Sequence, residues 1–261
     1  MSFHSSLPLA AMTATLLSSS SFGALIAGDV AIVGFQASGV TTDSVSFVTF
    51  VDLAPGTVLY FTDNGWTGSA FRGVSATDGD GNENLMRFTA VNTIVAGTII
   101  GSKTSSADYA WALSGLVGAG TSAYAQLSLS STGEQVTIVE STNPSNPIFS
   151  GFTALYNFDN TNAYETATTS GTGSLAPGLV QGTSAVLLTS AANSALFNLN
   201  TLTSGTQAEW LAAIGNAANW TTGTGTADAG SGFINVVPAP GALALLACAG
   251  MVGSRRRRGA R

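Results

Sequence analysis

Asp78-Gly79-Asp80-Gly81-Asn82-Glu83-Asn84 is the stretch of this chain whose residue types and spacing could do chemistry. Side-chain oxygens alternate with glycine, which suits Ca²⁺, a hard cation that takes six to eight oxygen ligands. Asp78, Asp80 and Asn82 would be the ligands. The run departs from the EF-hand loop, with Glu83 at the sixth position in place of glycine and Thr89 at the twelfth in place of glutamate. A solvated turn between two strands is the competing reading. Asp63 and Asp159 could complete a metal site only if the fold brings them near.

Other chemistries lack their residues. The single histidine is His4 and the single cysteine is Cys248, each close to one end of the chain. If both ends are removed, the body holds neither. That leaves no Ser-His-Asp or Cys-His nucleophile, no imidazole or thiolate metal set and no disulfide. Carboxylates, amides, hydroxyls and aromatics remain. A pair of carboxylates facing a groove lined by Trp66, Trp111, Trp210 or Trp220 could hydrolyse a glycoside. With fourteen acids in the chain, sequence spacing does not single out a pair.

Charge is sparse and divided. Charged residues are 8% of the chain, against about 25% in an average soluble domain. All fourteen acids precede residue 229, where the cations are Arg72, Arg87 and Lys103, a net of −11. Arg255, Arg256, Arg257, Arg258 and Arg261 supply the other five positive charges. So acidic a body repels phosphate backbones, which argues against nucleic acid as a partner.

The elements that must position these groups read as strands. Asp29–Gln36, Ser44–Val51, Thr57–Thr62, Asn84–Thr89 and Thr98–Gly101 form the first half. Ala123–Ser128, Gln135–Glu140, Phe152–Phe158, Ser184–Thr189 and Phe233–Val237 form the second. Ser44–Val51 is apolar on both faces, as a central covered strand should be. Pro55-Gly56 predicts a turn, and Asp63-Asn64-Gly65-Trp66 another, because Asn-Gly favours positive φ. One helix is expected over 207–214. Thr206 and Glu209 have capping-box spacing, Trp210, Leu211 and Ile214 make an apolar stripe, and Gly215 stops it. The expectation is an all-β chain: a single β-sandwich over 24–236 with one short capping helix.

The two ends read as addresses. Residues 1–23 carry an apolar stretch from Leu7 to Leu17, then small residues at Ser21 and Gly23, the grammar of a signal peptide without its usual basic start. Residues 237–261 run from Pro238 and Pro240 through an apolar or small segment, Ala242–Gly253, to the arginines. As a helix that segment spans about 18 Å, short for a bilayer core of about 30 Å unless the flanks contribute. The arginines should stay cytoplasmic.

This tail resembles the PEP-CTERM sorting signal of Gram-negative and related bacteria. Val237, Pro238, Ala239, Pro240 and Gly241 fill the proline-motif slot, and Arg255, Arg256, Arg257 and Arg258 the basic cluster. Ala239 stands where that family usually has glutamate. The N-terminal stretch is expected to be a signal helix removed by signal peptidase on export, with a buried N-terminal helix of the domain as the competing reading. The resemblance implies a C-terminal sorting helix held briefly in the membrane, then cut by an exosortase-type protease or transpeptidase; an ordinary single-span tail anchor is the competing reading. "GDVAIVGF", "SFVTFVDLAPGT", "FTDNGW", "YNFDN" and "TQAEWLAAIGNAANW" are similar to lamin-tail-like β-sandwich modules of bacterial surface proteins. No activity comes with that similarity. The expected function is a non-enzymatic structural or adhesive protein at the cell surface or in the extracellular matrix, with no certain cofactor beyond the Ca²⁺ in question. The alternatives are a calcium-dependent module that binds surface polysaccharide and a carboxylate-based secreted polysaccharide hydrolase.

Overall fold

The structure, a computed structural model, describes residues 23–37, 43–72, 85–113, 127, 129–130, 133–165, 173–189, 191–223 and 230–239. Twelve strands run in chain order as β1 Val30–Gln36, β2 Ser44–Thr49, β3 Val58–Thr62, β4 Leu85–Ala90, β5 Thr98–Gly101 and β6 Tyr109–Leu113. Then follow β7 Gln135–Ser141, β8 Phe152–Asp159, β9 Ala185–Leu187, β10 Ser194–Phe197, β11 Trp220–Gly223 and β12 Gly232–Phe233. The one α-helix among the described residues, α1, spans Gln207–Ile214.

The strands form two six-stranded sheets, β11-β10-β1-β2-β5-β12 and β6-β4-β3-β7-β8-β9. All pairings are antiparallel except β8 with β9. The sheets pack face to face through aromatic side chains. Phe47 of β2 meets Phe61, Phe88 and Trp111 of the other sheet at ring-centroid distances of 5.3, 5.2 and 6.1 Å. Phe35 of β1 stacks on Phe158 of β8 at 4.8 Å. Such burial of large apolar side chains supplies the cohesion that a chain without disulfides needs. The all-β sandwich is as the strand rhythm predicts. β2 is central and buried along its whole length, as its two apolar faces require.

A second apolar cluster lies on the outer face of the β3 sheet: Tyr60, Trp66, Phe71, Val139, Ile148 and Leu179 among others. Here one expectation fails. Neither Asn64 nor Gly65 has positive φ. The chain continues extended past β3, Trp66 bridging both Phe71 and Ser174, and reverses one step later, where Thr67 O–H and the Ala70 N–H and carbonyl close a turn with Gly68 at φ 92°. Burying Trp66 and Phe71 on that outer face outweighs the local preference of Asn-Gly. Pro55-Gly56 does turn as expected: Thr57 N–H donates to Ala54 O, with Gly56 at φ 87°.

Three strands, β6, β10 and β11, were not expected, and Phe233–Val237 pairs as a strand only over Gly232–Phe233. The short runs YAWAL, SALF and WTTG are legible as strands only beside the partner that completes their hydrogen bonds. Of the expected strand over 123–128, all but Leu127 lies outside the described residues. Most of the signal segment and most of the tail also lie outside them, and no described helix is long and apolar enough to cross a membrane.

Candidate functional site, a buried carboxylate cluster

The polar end of the sandwich is set by strand direction. β3 and β8 finish there and β7 starts there, as their antiparallel register requires. Each strand carries polar side chains into its last or first steps. Phe61-Thr62-Asp63-Asn64 ends β3, Phe158-Asp159-Asn160 ends β8, and Glu134-Gln135 opens β7. Asp63, Asn64 and Asn160 are fully buried, and Glu134 and Asp159 are each 1% exposed.

Glu134 is the hub. Its carboxylate accepts from Gln135 N–H at 3.0 Å and Ser130 N–H at 3.3 Å. Its own N–H donates to Asn160 Oδ1 at 2.6 Å, and Asn160 N–H donates back to Glu134 O at 3.0 Å. Asn160 Nδ2 also reaches Ala192 O at 2.7 Å. Nearby, Asp43 accepts from Leu129 N–H at 2.8 Å. These side chains tie the ends of several strands to the connections beside them. Backbone groups that would otherwise be buried without partners are satisfied by carboxylates and amides.

A row of polar residues continues along the outer face of the same sheet. Thr62, Thr137 and Asn157 lie in register, followed by Gln135 opposite Asp159. Asn157 Nδ2 donates to Thr137 Oγ1 at 3.0 Å, Asn64 Nδ2 to Thr62 Oγ1 at 2.7 Å, and Gln135 Nε2 to Asp63 O at 3.2 Å. Asp159 Oδ1 accepts from Thr161 N–H at 2.7 Å and Thr161 Oγ1–H at 2.6 Å. Asp159 Oδ2, Asn157 Oδ1, Asn64 Oδ1 and the Tyr164 hydroxyl make no hydrogen bond among the described residues.

The electrostatics follow from burial. Desolvation pushes the Glu134 carboxyl well above the usual range, and the neighbouring Asp63 and Asp159 push it further; the two backbone N–H bonds oppose this. Desolvation raises Asp159 to about 6, opposed by the Thr161 bonds and aided by Glu165. Tyr164 is raised by burial and by Asp159. The cluster can therefore hold protons that exposed carboxylates would release. Among the described residues it is a buried cluster that ties connecting segments to the strand ends.

Sequence spacing alone did not point to Glu134, Asn160 or Asp43. The signal that could have found them is the repeated strand ending, an inward Phe followed within two residues by Asp-Asn, at Phe61 to Asn64 and Phe158 to Asn160. The fold does bring Asp63 and Asp159 to one place, around Glu134. Asp78, Asp80 and Asn82 lie outside the described residues. Among the described residues no three His, Cys, Asp or Glu side chains are placed to hold a metal ion. The acidic body is also less acidic at its surface than its net charge suggests, since Asp29, Asp43, Asp63, Glu134 and Asp159 are buried.

None of the four tryptophans lines either of the two grooves that follow. Trp66, Trp210 and Trp220 are buried, and Trp111 packs against Phe47, Phe61 and Phe88. Two of the grooves on the described surface bear on this. One of about 450 Å³ is lined by Phe50, Leu211, Val236 and Pro238 among others, with no carboxylate. The second, about 380 Å³, has Asp108 as its one carboxylate.

Of the residues expected to form a sorting motif, Val237, Pro238 and Ala239 are described; Pro240, Gly241 and Arg255 to Arg258 are not. Val237 N–H donates to Gly205 O at 2.9 Å, and Pro238 and Ala239 border the larger groove. The start of the proline motif is thus built onto the body. No protein-family model, curated protein or solved structure matches this chain.

Proposed function

We propose that the protein is an exported, non-catalytic structural or adhesive component of a bacterial surface or extracellular matrix, delivered through its C-terminal tail by an exosortase-type enzyme. The observation that carries this reading is the order of elements after the sandwich: proline motif, apolar segment, arginine cluster. The arginines resist translocation, so the apolar segment halts in the bilayer and presents the proline motif on the outer side. A sandwich held by aromatic packing, without cysteine or histidine in its body, suits a compartment where thiols oxidise.

The paired-carboxylate alternative is not carried by these two grooves, neither of which is lined by two carboxylates. Calcium at Asp78, Asp80 and Asn82 remains a separate proposal, tested by whether millimolar Ca²⁺ raises the melting temperature and whether Asp78→Asn with Asp80→Asn removes the gain.

The test of the sorting reading is a fusion of residues 237–261 to an exported reporter in a host carrying a matching exosortase. Processing to a surface or released product is expected. Replacing Arg255 to Arg258 with alanine should abolish it, and identical processing without the arginines would overturn the reading.

A further inference from the structure

Seven large apolar side chains are exposed among the described residues, and their placement is uneven. Ile26 (64%), Val91 (51%), Val95 (53%), Phe233 (62%) and Val237 (38%) all gather at the end of the sandwich opposite the carboxylate cluster, and Phe149 lies in the β7–β8 connection at that end. Only Val180 lies elsewhere, beside β9.

Register places them. Val91 and Val95 are in the β4–β5 connection, where Gly97 N–H donates to Thr49 O at the close of β2. Phe233 pairs with Thr98 at the start of β5, and Ile234 N–H donates to Gly97 O. Ile26 precedes β1, and Asp29 O receives Phe50 N–H. Val237 is held to Gly205 one step beyond the Val236 bridge. The larger groove, walled by Phe50, Leu211, Val236 and Pro238, opens on the same end. The described chain closes there at Ala239, and the apolar segment Ala242–Gly253 begins three residues later in the sequence.

We infer that this end is a membrane-facing surface: while the tail is inserted, the tips bearing Ile26, Val91, Val95, Phe233 and Val237 rest in the headgroup region of the bilayer. This rests on the membrane-inserted tail of the proposed function. With Pro238 and Ala239 at the groove and so few residues before the apolar segment, an inserted tail holds this end within a few residues of the lipid. Exposed apolar tips at the wet surface of a monomer are costly, and burial at an interface removes that cost. None of the tips is Lys or Arg, and acids stand among them: Asp52 accepts from Ala96 N–H at 2.8 Å, and Asp108 from Asn92 Nδ2–H at 2.9 Å. The surface therefore fits a neutral headgroup layer and offers nothing to an anionic one.

The test uses the full chain in phosphatidylcholine vesicles. In a Cys248→Ser background, single cysteines replace Val91, Val95 or Phe233 at the tips and Thr189 at the far end, each labelled with an environment-sensitive fluorophore. The native Cys248 is labelled in a fifth sample. Tip labels are expected to shift to the blue on vesicle binding and to be quenched by lipids spin-labelled near the headgroup, while the Thr189 label stays as in water. If all three tip labels match Thr189 while the Cys248 label is lipid-buried, the membrane-facing surface is wrong and the inserted tail stands. If the Cys248 label stays aqueous, both fall. A tip shift that needs anionic phosphatidylglycerol would also overturn the inference, because apolar contact requires no lipid charge.

Discussion

Asp159 sits 1% exposed on the outer face of β8, with one oxygen bonded to Thr161 and the other unpaired. Its carboxyl is raised from 3.8 to about 6, so the folded chain binds the proton more tightly than the unfolded chain. The stability it contributes is complete below the unfolded value and is lost as pH rises through about 6. Glu134 is shifted in the same direction for the same first cause, burial. A shift of about two units corresponds to about 3 kcal/mol, an upper bound for Asp159 at neutral pH. Asp159→Asn keeps an oxygen for Thr161 and removes the buried charge. It should be more stable than the unmutated chain at pH 7.5, and its stability should change less between pH 4 and 6.5. Urea unfolding at the two pH values measures both. A variant that is weaker at pH 7.5 with an unchanged pH slope would show that Asp159 is not held as a strained acid.

At the level of elements, α1 begins where sequence places it. Thr206 Oγ1 accepts from Glu209 N–H at 3.3 Å, and Glu209 Oε2 accepts from Thr206 N–H at 2.8 Å, completing the capping box. Thr206→Ala should cost about 1 kcal/mol, read as a lower urea midpoint with an unchanged slope. The helix stops at Gly215 as expected, but not by way of a left-handed cap. Gly215 is right-handed, at φ −68°, so it is not there to adopt a left-handed cap. A Cβ at Gly215 would lie 2.5 Å from the carbonyl carbon of Gly182. Gly215→Ala should therefore destabilise by about 1–3 kcal/mol through overpacking, where a simple helix-propensity argument would have it neutral or better. Thermal unfolding of the two proteins decides between these.

The described residues are polarised: the Asp63, Glu134 and Asp159 cluster is buried at one end, and the apolar tips are exposed at the other, beside Val237 to Ala239. The body, with α1 its one α-helix among the described residues, should give a circular dichroism spectrum dominated by β-structure. Val237 is bonded to Gly205, so processing should leave the sandwich intact only if the cut falls beyond it. Mass spectrometry of the released body should show Val237 retained. A product ending before it should melt at a lower temperature, having lost that bond and part of the Gly205–Val236 bridge.

Local rules were enough where the interaction is local. The strand rhythm of the first half, the Pro55-Gly56 turn and the Thr206–Glu209 cap each involve residues within a few positions of one another, so the sequence alone determined them. The lack of histidine and cysteine between His4 and Cys248 was equally legible, because composition needs no geometry. What only the tertiary structure decided is long-range. Asn64-Gly65 makes no positive-φ turn because Trp66 and Phe71 gain more on the outer face than a tight turn offers. Glu134 gathers Asp63, 71 positions earlier, and Asp159, 25 later, because antiparallel register delivers three strand ends to one place. No spacing in a one-dimensional string encodes that register, since it is fixed by which apolar faces find each other when the sheets close.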